Sequence, residues 1–182
     1  ERLALRFGAE RIIPLGLGVM GAGFMGMAAV NYAEQPSVAL VLLSCVIAGI
    51  GLALTNSPTT NTTTGSVSND RAGMASGIDF SARLITLAIN IALMGLVLLL
   101  GISHNLAHVL PDSTAMEWAS LSQHIAAGKL DAPGLTILDA QTALRSGAGW
   151  AMLFAGLGAC GLALLSRHFF RRERCTKNGP AC

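Results

Sequence analysis

Charge is what this chain has least of. Asp, Glu, Lys and Arg make up 12% of its 182 residues, against roughly 25% in a soluble domain. The formal net charge of +2 is too small for a nucleic-acid-binding surface. The four cysteines, at positions 45, 160, 175 and 182, follow neither a disulfide framework nor a zinc spacing, so inert thiols are expected. No nucleophile, base and orienting group can be assembled from the sequence, which leaves an enzyme without support. The clustered glycines are not a phosphate loop, because none follows a strand and opens a helix with a Lys. No internal repeat is visible. The chain begins Glu1-Arg2-Leu3 without an initiator Met, and this basic start lacks the layout of a signal peptide. A piece of a longer protein is expected.

Apolar residues are abundant instead. They form 52% of the chain, the mean hydropathy is +0.58, and there are 21 glycines. Four runs approach the roughly 20 residues that a bilayer core requires: 12–33, 38–60, 74–100 and 148–169. The expected fold is all-α, a polytopic membrane bundle of four transmembrane helices. Pro36 in the turn after Glu34 ends one helix and lets the next begin. Lys and Arg near span ends set orientation. Arg2, Arg6 and Arg11 precede the first span, Arg71 lies between the second and third, and Arg167, Arg171, Arg172, Arg174 and Lys177 follow the fourth. The segments 1–11, 61–73 and 170–182 are therefore expected in the cytoplasm, and 101–147 outside. Within the outer segment, 113–128 has the pattern of an amphipathic helix with Met116, Leu121 and Ile125 apolar. A turn at 131–134 precedes a second short helix over 135–144.

The third span carries the chemistry. Ser76, Asp79, Arg83, Thr86 and Asn90 recur at helical spacing and form one narrow stripe. Asp79 and Arg83 are one turn apart and can pair. A charge at mid-membrane costs roughly 2.5–3.5 kcal/mol on insertion scales, so the stripe is expected to face a bundle interior or a water-filled path. Two readings remain open: the lining of a translocation pathway, or a structural polar seam with Arg83 snorkelling to the interface. The opposite face holds Ser81, Ala88, Ala92 and Gly95, small residues that let another helix approach. In the second span, hydroxyls around Pro58 can satisfy freed carbonyls, and Asn56 and Thr59 are assigned a lining role; beyond Asn61 a cytoplasmic loop is expected. His104 and His108 are four apart on the outer side. They lack further ligands and are expected to be solvated loop histidines, with no metal site.

The run from Pro58 through Asn69-Asp70-Arg71-Ala72-Gly73-Met74-Ala75-Ser76-Gly77 to Ser81-Ala82-Arg83 resembles the major facilitator superfamily. The similarity is closest to its fourteen-span drug:proton antiporters, the QacA/EmrB-like branch. The start of the chain is similar to the family's basic cytoplasmic loop: Arg6, Gly8 and Arg11 match, whereas Leu5 replaces the usual acid and Glu10 a common base. That departure weakens the gating ion pairs of the loop. The resemblance implies the last four of fourteen spans, alternating access, and efflux of small amphipathic compounds across a bacterial inner membrane. It implies a proton gradient as driving force and no bound cofactor. The partners implied are the bilayer, the missing N-terminal spans and a small-molecule substrate. By the same resemblance Arg6, Gly8, Arg11, Arg71, Gly73, Gly77 and Arg83 set the cytoplasmic gating geometry, while Asn56, Thr59, Asp79, Thr86 and Asn90 border the substrate pathway. The alternatives are an importer or metabolite exporter of the same superfamily, or a stand-alone four-span scaffold.

Overall fold

The computed structural model describes residues 8–33, 37–65, 68–110, 114–129 and 135–178. Arg6, with the rest of the first seven residues, lies outside them. The chain is an all-α polytopic bundle. Helices α1 (Ala9–Tyr32) and α2 (Val38–Gly65) are followed by a short 3-10 turn (Asn69–Arg71). Helix α3 (Ala72–Val109), the short α4 (Ala115–Ala126) and α5 (Ile137–Asn178) complete the order. Four stretches are long and apolar enough to cross a membrane: Arg11–Tyr32, Val38–Asn56, Ala72–Val109 and Ile137–Phe170. Large apolar side chains such as Leu42, Ile85 and Leu164 are more than half exposed. Patches of this extent require a non-aqueous neighbour, and a lipid bilayer supplies it.

Helix α1 lies between α2 and α5, packed against both. Small residues make the approach possible. A Cβ added to Gly23 would stand 2.5 Å from the backbone nitrogen of Ala48, closer than two such atoms can come. At the α3–α5 crossing a Cβ on Gly101 would meet the Cα of Gly147 at 2.8 Å. These contacts replace the hydrophobic drive that lipid does not provide between helices.

Helix α3 outruns the expected span. Its 38 residues measure about 57 Å at about 1.5 Å per residue, nearly twice the roughly 30 Å hydrocarbon core. Gly101 does not end it, because the glycine is buried at the crossing with α5. His104 and His108 consequently sit on the last turns of α3 rather than in a loop. Helix α2 likewise continues through the hydroxyl-rich segment to Gly65, past Asn61, where a loop was expected.

The connection around α4 builds a small core with the adjoining ends of α3 and α5. Ile102 and Leu106 of α3, Ile125 of α4, and Ala140 and Ala143 of α5 are fully buried together. Helix α4 matches the amphipathic expectation at Leu121 and Ile125, but Met116 is 83% exposed. A capping box starts α4: the backbone N–H of Glu117 donates to Thr114 Oγ1, and that of Thr114 to Glu117 Oε2 at 2.7 Å. Gly128, at φ 81°, ends it in a conformation that L side chains rarely adopt. The second short helix expected over 135–144 is instead the first turns of α5. That helix runs on through Gly147, where a Cβ would clash with Leu98 and Ile102 of α3.

Candidate functional site: a polar hollow on helix α3

Spacing alone places Asp79 and Arg83 one helical turn apart, and the structure pairs them. Arg83 Nε donates to Asp79 Oδ2 at 2.9 Å. The pair is partly shielded, with side chains 36% (Arg83) and 19% (Asp79) exposed. Arg83 also reaches across to the neighbouring helix, where its Nη1 donates to Asn56 Oδ1 on α2. A planar guanidinium with several fixed donors can hold two such acceptors at once, which an ammonium on a flexible stem does less well. Thus α2 and α3, which touch sparingly elsewhere, are joined by a charge-assisted bridge within two apolar spans.

Beside this bridge lies an open hollow of about 380 Å³, lined by Asp79, Ala82, Arg83, Thr86, Leu87 and Asn90. Thr86 Oγ1 donates to the Ala82 carbonyl at 2.8 Å, so its lone pairs remain to accept from a visitor. Asn90, exposed on the same wall two turns beyond Arg83, makes no hydrogen bond among the described residues. Its amide offers both donors and an acceptor. The hollow therefore grades from a compensated ion pair, through a hydroxyl, to a bare amide. Leu87 supplies an apolar wall.

The other sequence-predicted residues are placed as follows. Asn56 is exposed and belongs to the bridge, and Thr55 beside it donates to the Gly51 carbonyl at 2.9 Å. Thr59 lies on the helical backbone of α2, but its side chain is outside the described residues. Ser76 is exposed and does not line the hollow. Arg71 is exposed at the start of α3, its backbone N–H bonded to the Ser68 carbonyl at 2.9 Å. Gly8 caps α1 at φ 79°, a value that favours glycine, and its carbonyl accepts from the N–H of Arg11 at 3.2 Å. Gly73 and Gly77 have open space where a Cβ would point, so nothing among the described residues requires glycine there. On the opposite face of α3, Ser81, Ala88 and Ala92 are exposed and a Cβ on Gly95 would meet nothing within 4 Å, so no described helix packs there. Small size permits close approach but does not specify a partner. The close approach of α3 is made farther along, at Gly101.

Sequence reasoning missed a second polar tie. Asn31 Nδ2 donates to the Arg145 carbonyl at 2.6 Å, and Arg145 Nη2 returns a bond to the Ala33 carbonyl at 3.0 Å. The end of α1 is thereby clamped to α5, with a cation placed at the negative end of the α1 dipole. The partners are more than a hundred residues apart, and no local pattern announces them. Gly149 makes room for the clamp, since a Cβ there would stand 2.6 Å from Asn31 Nδ2.

Among known proteins, the chain is 38% identical over 93 residues to Multidrug resistance protein Stp of Mycobacterium tuberculosis, in both strain CDC 1551 / Oshkosh and strain ATCC 25618 / H37Rv. The match covers 51% of this chain and 17% of the length of those relatives. No family model matches the chain, and no solved structure does.

Proposed function

We propose that this chain is the C-terminal part of a secondary active transporter of the major facilitator kind, exporting drugs or other small amphipathic compounds by alternating access. The partial likeness to a multidrug-resistance protein and the four apolar helices support a membrane transporter. The observation that carries the pathway reading is the Arg83 bridge to Asp79 and Asn56 beside an open, polar-lined hollow on an otherwise apolar helix. Such groups are rare in spans and, where they occur, face a bundle interior or a water-filled cavity. The hollow's mixed lining fits an amphipathic solute: Leu87 meets its apolar part, and Thr86 and Asn90 its polar groups.

On this reading the protein is a carrier and not an enzyme, and proton entry supplies the driving force through residues outside this chain. It resides in a bacterial inner membrane with both ends of this segment cytoplasmic, and the preceding spans complete the cavity. Arg83, with Arg71 and Arg11 near the same end, holds the cytoplasmic gate, while its partner Asp79 borders the pathway. The test is drug susceptibility of cells carrying the complete protein. R83A should abolish most of the protection, whereas K129A, at an exposed outer position, should not. Equal protection by both variants at equal expression would overturn the reading.

A further inference from the structure

The outer end of α3 carries a second constellation that the transport reading does not use. His104 and His108 are both exposed on the last turns of the helix, one turn apart. Their ring centroids are 4.9 Å apart in an edge-to-face arrangement. His104 is further fixed by Trp150 of α5, whose ring centroid lies 5.7 Å away. Trp150 is anchored in turn, because Gly101 admits its side chain at the α3–α5 crossing.

The geometry points to a two-histidine chelate for a divalent transition-metal ion on the outer face. Imidazoles at i and i+4 of a helix project to the same side and can share one ion, the arrangement that helical zinc motifs use for two of their ligands. Imidazole nitrogen suits Cu²⁺, Ni²⁺ and Zn²⁺, with Cu²⁺ bound tightest among them. Among the described residues no third His, Cys, Asp or Glu joins the pair, so water or an external ligand takes the remaining positions. Preorganisation is the reason for affinity at such a sparse site. The helix holds both rings in reach, and the Trp150 contact restricts one of them. Binding of the second imidazole is then intramolecular, which raises affinity by about a hundredfold over a single imidazole. A bound ion would staple the last turn of α3 beside α5, on the side opposite the Arg83 bridge.

The test is a Cu²⁺ titration of the complete protein in detergent, read by electron paramagnetic resonance and by tryptophan fluorescence. Wild type should show a species with two imidazole nitrogens and a component of fluorescence quenched by Cu²⁺, from Trp150. Both should vanish in H104Q/H108Q, and each single variant, H104Q or H108Q, should weaken this component about a hundredfold. H124Q, at the exposed histidine of α4, should leave it intact. Exposed glutamine replacements should not unfold the protein, and an unchanged thermal midpoint without metal verifies this. Persistence of the signal in the double variant, loss of it in H124Q, or single variants that bind as wild type would each overturn the proposal. Its failure would leave the transport reading standing, since the two sites share no residue.

Discussion

Replacing Arg83 by Ala removes the group that joins Asp79 to Asn56. The Coulomb attraction of two unit charges about 4 Å apart is about 4 kcal/mol at an effective dielectric of about 20, but desolvation offsets much of it. Exposed pairs are worth about 0–1 kcal/mol, and breaking a buried pair costs about 3–5. With side chains 36% and 19% exposed, the Arg83–Asp79 pair falls between these limits, at about 2 kcal/mol. That corresponds to about a 30-fold change in an equilibrium constant. A double-mutant cycle isolates the coupling. D79A, R83A and D79A/R83A in the complete protein should give an interaction free energy of about 1–2 kcal/mol in equilibrium unfolding. R83K keeps the charge but loses the planar fork, so it should recover the Asp79 coupling only in part and the Asn56 coupling least. N56A combined with R83A should likewise be less than additive. Strict additivity in both cycles would mean that the bridge does not exist in the folded protein, and the reasoning about the site would fall with it.

Other consequences can be measured independently. G147L drives a large side chain into Leu98 and Ile102. Overpacking of about 1–3 kcal/mol should lower the thermal midpoint, and an unchanged midpoint would contradict the α3–α5 crossing. T114A removes the α4 capping box at a cost of about 0.5–2 kcal/mol; amide exchange should accelerate at the start of α4 and not in α1. R145A breaks the clamp to Ala33, so a spin-label pair at the end of α1 and the start of α5 should show a broader distance distribution than wild type. Equal widths would dismiss the clamp as a constraint.

How much of this was legible in the sequence depends on the range of the interaction. The helical character of the apolar runs and the Asp79–Arg83 pair were legible because hydropathy and the i, i+4 spacing are local. The partnership of Arg83 with Asn56 was half visible: Asn56 stood out as a lining residue, but which cation it meets is a matter of how α2 and α3 pack. The third apolar run read as ending at Leu100, with Gly101 opening the connection. In the structure Gly101 is a crossing point inside a longer helix, set by a partner on α5 that the local sequence does not name. The connection between the third and fourth spans read as an amphipathic helix and a second short one, yet which helices its apolar residues would meet did not show: Ile102, Leu106, Ile125, Ala140 and Ala143 close a core there. Its members come from three helices, and their convergence has no signature in any one of them. The Asn31–Arg145 clamp was invisible for the same reason.

The most direct measurement of the central claim is the water accessibility of position 90. In a complete protein with Cys45, Cys160, Cys175 and Cys182 replaced by Ser, N90C should react with a small charged thiol reagent, and a transported compound should slow the reaction. I85C, on the apolar surface of the same helix, should stay unreactive under the same conditions. If N90C is as inert as I85C, and a lipid-soluble probe quenches a label at both, the polar face of α3 contacts acyl chains and lines no pathway.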